Sequence, residues 1–108
     1  MEDLTQDEWA TQLKSDNNAV VLDVRTLEEV EEGIIKNALH LDIYKGQEFI
    51  DALEDLDKSK NYYVYCRSGN RSGKACNIME QLGFKGAYNL EGGILQWTGD
   101  LVDFKDES

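Results

Sequence analysis

Three short apolar runs, Ala19-Val20-Val21-Leu22-Asp23-Val24, Tyr62-Tyr63-Val64-Tyr65 and Ala87-Tyr88-Asn89-Leu90, alternate with segments whose apolar residues recur at helical spacing, and this alternation limits the fold more than any other feature. A short, mostly apolar run, such as the first with its one acid near the end, suits a strand buried on both faces, as strands are in parallel sheets covered by helices. Between the runs, Phe49, Ile50, Leu53 and Leu56 share one helical face and predict a helix over roughly 47 to 56. Ala75, Cys76, Ile78, Met79 and Leu82 predict another over roughly 72 to 82. Ahead of the first run, Thr5-Gln6-Asp7-Glu8 has the form of a capping box and Trp9 meets Leu13 one turn later, so a first helix reaches about residue 15 and ends at Asp16-Asn17-Asn18. Thr26 to Glu32 reads as a short acidic helix stopped by Gly33. The predicted class is α/β, a parallel four- or five-stranded sheet flanked by helices on both faces, with ligand sites beyond the carboxyl ends of the strands.

The length of 108 residues and 41% hydrophobic content fit one compact domain over residues 1–108. No repeat, low-complexity linker or internal boundary interrupts it, and only Lys105-Asp106-Glu107-Ser108 reads as a loose tail. With 22 acidic residues against 11 Lys and Arg, the net charge is -11, which argues against nucleic acid and anionic membrane surfaces as partners. Met1-Glu2-Asp3-Leu4 lacks a basic start and an apolar signal core, and no apolar stretch approaches membrane-spanning length, so a cytoplasmic location is expected.

The two cysteines, Cys66 and Cys76, match neither a CxxC pair nor a zinc spacing, and His40 is the one histidine, so a catalytic zinc site is not predicted. A reducing compartment would keep both as thiols. Cys76 lies on the apolar stripe with Met79 and reads as a core residue.

Cys66 stands elsewhere in the pattern. It ends the Tyr62–Tyr65 strand and opens Cys66-Arg67-Ser68-Gly69-Asn70-Arg71-Ser72, a turn into the following helix. Main-chain N–H groups at such a helix start point toward an anion, and Arg67 and Arg71 add positive charge, so a thiolate there is stabilised relative to the thiol. Gly69 lets the turn close tightly. Cys66 is therefore the candidate nucleophile, against the plainer reading of a solvated basic turn after a structural cysteine.

Three segments together resemble the rhodanese-like family: Leu22-Asp23-Val24-Arg25 with Glu29 and Gly33, then Val64 to Ser72, then Asn89-Leu90-Glu91-Gly92-Gly93-Ile94 with Trp97. The resemblance implies a single-domain thiosulfate sulfurtransferase needing no cofactor. Cys66 matches the residue that becomes a persulfide. Arg67, Ser68, Gly69, Asn70, Arg71 and Ser72 match the loop that binds the anionic substrate. Thiosulfate or a protein persulfide would be the donor, and cyanide, a thiol or a protein the acceptor. Asp23 and Arg25 are expected to pair locally and fix the first connection, with Gly92 and Gly93 allowing close backbone approach and Trp97 covering core.

Other readings of the same residues are a rhodanese-like binding or sulfur-carrier module without turnover, and a cysteine-dependent phosphatase or arsenate reductase. Protein tyrosine phosphatases carry their arginine one position later than Arg71, where this chain has Ser72, so its loop is the tighter one. Gly33-Ile34-Ile35 and Asp42 depart from the Gly-His-Ile and proline of many family members.

Overall fold

The computed structural model describes residues 2–104, so Met1 and the tail expected at Lys105–Ser108 lie outside it. Strands β1 Glu2–Leu4, β2 Ala19–Asp23, β3 Leu39–His40, β4 Asn61–Tyr65 and β5 Gly86–Leu90 form one sheet in the order β1-β5-β4-β2-β3, every neighbouring pair parallel. Helices α1 Gln6–Ser15, α2 Leu27–Val30, α3 Gln47–Glu54, α4 Asn70–Gln81 and α5 Gly93–Gln96 make the connections, with a 3-10 turn at Ile43–Lys45.

β4 is the central strand, and its alternation divides the core. Val64 and Cys66 turn, with Leu22, toward α3 and α4, where Phe49, Leu53, Ala75, Cys76 and Met79 close one hydrophobic cluster. Tyr63 and Tyr65 turn to the opposite face and pack on Trp9 of α1, whose ring also meets Trp97 edge-on at 5.5 Å. Helices therefore cover both faces, and Trp97 covers core as expected. Every residue of β4 after Asn61 is buried, which explains why that strand reads as an uninterrupted apolar run.

The edge strands β1 and β3 were not part of the sequence expectation. β1 is the acidic triplet Glu2-Asp3-Leu4, held by parallel pairing with Tyr88, Asn89 and Leu90, and β3 is two residues paired with Leu22 and Asp23. Backbone bonds on one side are enough to hold such edges, so they need no apolar signature. The predicted helices appear with shifted ends: α2 is one turn long, α3 stops at Glu54, and α4 begins at Asn70 rather than near 72.

α1 opens on the anticipated capping box, in which Thr5 Oγ1 accepts from Glu8 N–H and the Glu8 carboxylate accepts from Thr5 N–H. Thr26 and Glu29 form a second box at α2. Asp23 and Arg25 pair as expected: the Arg25 guanidinium donates to both Asp23 oxygens, at 2.8 Å from Nη2 to Oδ2, and Nη2 also donates to the Gly33 carbonyl at 2.7 Å. This buried knot ties the end of β2 to the chain after α2.

The two departures from the family pattern have structural uses. Ile34 is buried and exchanges backbone hydrogen bonds with Val102. Asp42 caps the 3-10 turn by accepting from Tyr44 N–H at 2.8 Å. Among the described residues no helix is long and apolar enough to cross a membrane.

Candidate active site

Cys66 follows directly on β4, at the carboxyl end of the sheet, and its side chain is fully buried. The chain reverses within Arg67-Ser68-Gly69 because Gly69 adopts φ +99°, a left-handed conformation that a side chain would strain. The reversal aims the start of α4 back at the sulfur. Gly69 N–H donates to Cys66 Sγ at 3.1 Å, and Ser72 Oγ lies 3.3 Å from it. Burial alone would push this thiol up; the Ser72 hydroxyl and the N–H groups of Ser72, Gly69 and Ser68 together outweigh it and bring Cys66 below the ordinary thiol range.

The β5–α5 turn holds the other side of the loop. Ile94 N–H donates to the Cys66 carbonyl at 2.9 Å and Leu95 N–H to the Arg67 carbonyl at 3.0 Å, so the loop's carbonyls are drawn toward α5. That approach requires Gly93: a Cβ there would lie 2.7 Å from the Cys66 carbonyl oxygen and closer still to that of Arg67. The close backbone approach expected of the glycine pair is thus real and specific to Gly93.

The two loop arginines, which the sequence assigned to one task, are differently engaged. Arg71 Nη1 and Nη2 donate to the two oxygens of Glu29 at 2.7 and 2.8 Å, and the guanidinium lies over the Tyr44 ring at 5.4 Å. Glu29 is held down to about 2 by the Arg71 hydrogen bonds first, with Thr26 N–H and hydroxyl assisting against partial burial. Arg67 is exposed, and its side chain makes no hydrogen bond or ion pair with any described residue.

Ser68 and Asn70 are exposed on the loop, whereas Ser72 is fully buried beneath the sulfur. An open polar cavity of about 400 Å³ runs along the loop, lined by Asp3, Ser68, Gly69, Asn70, Lys74 and Asn89 among others.

Three residues of this constellation escaped the sequence reading. In sequence Glu29 belongs only to a structural pattern; its place three residues after Thr26 signals a cap but not an arginine partner. Asn89 accepts from Ser72 Oγ at 2.5 Å and donates through Nδ2 to Asp3 Oδ1 at 2.9 Å and to the Gly69 carbonyl at 3.1 Å. Asp3 is placed by β1, a strand with no apolar signal. Cys76, as expected, is a buried core thiol, and burial pushes it up to about 12.

A cysteine sulfur at the end of a central strand, facing N–H donors at a helix start and bordered by arginines, is an arrangement that can stabilise a thiolate and receive an anion. The family model for the Rhodanese-like domain matches residues 6–100, and the chain belongs to that family. The Bacillus subtilis (strain 168) protein named "Putative sulfurtransferase YtwF" is 39% identical over 88 residues, covering 82% of each chain. A protein of Allochromatium vinosum named "Sulfurtransferase" is 29% identical, over 89% of this chain and 87% of its own. The crystal structure of a rhodanese-like domain protein from Staphylococcus aureus superposes with a TM-score of 0.80 at 34% identity, covering 95% of this chain and 98% of that one.

Proposed function

We propose that the protein is a sulfurtransferase that carries sulfane sulfur as a Cys66 persulfide, residues 1–108 acting as one rhodanese-like unit. The observation that carries this reading is the pairing of a buried sulfur with N–H donors at the β4–α4 turn, Gly69 N–H at 3.1 Å foremost. In the first half-reaction the Cys66 thiolate attacks the outer sulfur of thiosulfate. The Sγ–S bond forms, the donor's S–S bond breaks, and its electron pair leaves with sulfite. In the second, cyanide, a thiol or a protein acceptor takes the terminal sulfur and the thiolate is restored. The loop needs no histidine base, because its donors already favour the thiolate. A protein persulfide can replace thiosulfate as donor in the same step.

The sulfurtransferase names of the relatives support this reading. The net charge of -11 supports small anions steered locally by Arg67, or a protein partner, over nucleic acid and membranes. The cytoplasm, which keeps thiols reduced, is the proposed location.

The test is mass spectrometry after incubation with thiosulfate. One added sulfur atom on the Cys66 peptide, with sulfite release and turnover to thiocyanate when cyanide is supplied, is expected. Adduct without turnover to any acceptor would mark a carrier or binding module. Absence of the adduct with thiosulfate and with a low-molecular-weight persulfide would overturn the reading.

A further inference from the structure

The Ser72 hydroxyl has one proton and two neighbours that can accept it. Asn89 Oδ1 lies at 2.5 Å and Cys66 Sγ at 3.3 Å. The orientation of the Asn89 amide is fixed by its other partners: Asp3 Oδ1 at 2.9 Å and the Gly69 carbonyl at 3.1 Å can only accept, so the amide nitrogen faces them and the amide oxygen faces Ser72. Ser72 and Asn89 are 0% and 5% exposed, so bulk water does not supply a substitute donor or acceptor.

While Cys66 is a thiol, one arrangement satisfies every group. Ser72 donates to Asn89, and the Cys66 S–H donates to the free lone pair of Ser72 Oγ. Ionisation breaks that accord. The thiolate can take the Ser72 proton only by stripping Asn89 Oδ1 of its partner, and a buried acceptor left unpaired is costly.

We propose that Asn89 is a positioning residue for the Cys66 sulfur: its side-chain carbonyl competes with the thiolate for the Ser72 proton, so the hydroxyl gives the sulfur less than an uncontested donor would and the backbone N–H groups carry the rest. A thiolate with a weakened donor is a stronger nucleophile toward a sulfane sulfur. When the S–S bond forms, an Sγ lone pair becomes the new bond, the donor's S–S electron pair departs with its leaving group, and the negative charge moves to the terminal sulfur. Sγ then has little claim on the Ser72 proton, and the Ser72–Asn89 bond persists at no cost. Asn89 therefore favours the sulfur-loaded state over the free thiolate.

The proposal rests on Cys66 as the sulfur-accepting residue for its consequence in turnover, but its test does not. The pH dependence of iodoacetamide alkylation, followed on the Cys66 peptide, reports ionisation whether or not sulfur is transferred. Asn89→Leu frees the Ser72 proton for the thiolate and is expected to lower the alkylation midpoint by about one pH unit, tenfold in the ionisation constant. Ser72→Ala alone is expected to shift the ionisation constant by less than about threefold, because the proton it removes is already committed. In the Ser72→Ala background, Asn89→Leu should no longer move the midpoint.

The charged and titratable groups around the cup are Arg67 and Arg71, Glu29 and Tyr44 beside Arg71, Asp3 behind Asn89, Lys74 and Glu91 along the open cavity, and Cys76 in the same cluster. Only Asp3 loses a partner in Asn89→Leu, so Asp3→Asn serves as its control and should leave the midpoint in place.

A midpoint unchanged or raised in Asn89→Leu, or a shift that survives in Ser72→Ala, would overturn the proposal. Should Asn89→Leu not fold, Ser72→Ala decides alone: a tenfold or larger fall in the ionisation constant would mean that the hydroxyl serves the thiolate despite Asn89. If these titrations behave as described while Cys66 takes up no sulfur, the sulfurtransferase reading fails and the positioning role stands.

Discussion

Cys66 and Cys76 are both fully buried, and they belong to one hydrophobic cluster on the α3–α4 face of the sheet. One thiol is brought below its ordinary range and the other is pushed up to about 12. Burial acts on both in the same direction, against the charged form. What separates them is backbone geometry. Cys76 lies within α4, where the N–H groups are consumed by the helix's own carbonyls, while Cys66 sits where the chain leaves β4 and the first amides of α4 have no such partners. A buried cysteine is eased toward its thiolate when a strand-to-helix turn lends it the donors that a helix start cannot use internally.

The strongest test of this contrast is exchange at each position. Cys66→Ser should abolish persulfide formation and thiocyanate production to background, and the intact protein's mass should show no added sulfur. Alkylation sharpens the same point without any turnover assay. Cys66 should react with iodoacetamide with a midpoint below that of a free thiol, while Cys76 should stay unmodified until the protein is unfolded. Reaction of Cys76 in the native protein would break the comparison.

Next in size are the arginines, which border Cys66 and have no counterpart at Cys76. Arg71→Ala removes two charge-assisted bonds to Glu29 and leaves that carboxylate beside the cup with only its Thr26 donors and no positive partner. Loss of roughly 1.5 to 3 kcal/mol of substrate stabilisation, ten- to a hundredfold or somewhat more in kcat/KM for thiosulfate, is expected. Arg67→Ala removes an exposed charge that has no partner among the described residues and should cost less, chiefly in KM and most visibly at low salt. Equal effects in the two variants would mean that the Glu29 pairing is irrelevant to the site.

The Glu29–Arg71 pair also makes a pH prediction. Glu29 is depressed in the folded protein from its usual 4.5 to about 2, so its stabilising contribution is fully present above about pH 4.5 and is lost as the pH falls toward 2. Thermal unfolding of Glu29→Gln should therefore match the parent more closely at pH 3 than at pH 7. A gap that widens on acidification would contradict the pairing.

How far these features could be read in the sequence depended on how far apart the partners lie along the chain. The strands β2, β4 and β5 are legible because burial makes each of them mostly apolar, with a single polar residue apiece at Asp23, Asn61 and Asn89. β1 and β3 are not, because an edge strand is defined by backbone pairing, and Glu2-Asp3-Leu4 gives no hint of the partner it finds in Tyr88–Leu90. The site divides in the same way. Cys66 to Ser72 is contiguous, so the residue types and Gly69 announce a strand-to-helix turn. Glu29 meets Arg71 across 42 residues, Ser72 meets Asn89 across 17 and Asn89 meets Asp3 across 86; nothing local to Glu29, Asn89 or Asp3 marks any of them as a neighbour of a thiol. Arg67 and Arg71 look equivalent in sequence for the same reason, since only the fold supplies Glu29 to one of them.

The smallest expected effect is at Cys76, and it is the one that decides whether the second thiol has any chemical part. Its position on the buried stripe of α4 with Ala75 and Met79 makes it a packing residue, and a thiol pushed up to about 12 is neither ionised nor nucleophilic near neutral pH. Cys76→Ala deletes one buried sulfur atom while keeping helix propensity at its highest. The loss should be about 1 kcal/mol, the scale of a single methylene-sized group with partial relaxation of the cavity. For a chain of this size that lowers the unfolding midpoint by about 4 °C or somewhat more. Sulfur loading of Cys66 and turnover to cyanide should stay within about twofold of the parent, because the backbone donors to Cys66 Sγ come from Ser68, Gly69 and Ser72 and none from position 76. If turnover instead collapses while the thermal midpoint and the Cys66 alkylation profile are preserved, Cys76 receives or resolves the sulfur, and the division of the two thiols into nucleophile and core is wrong.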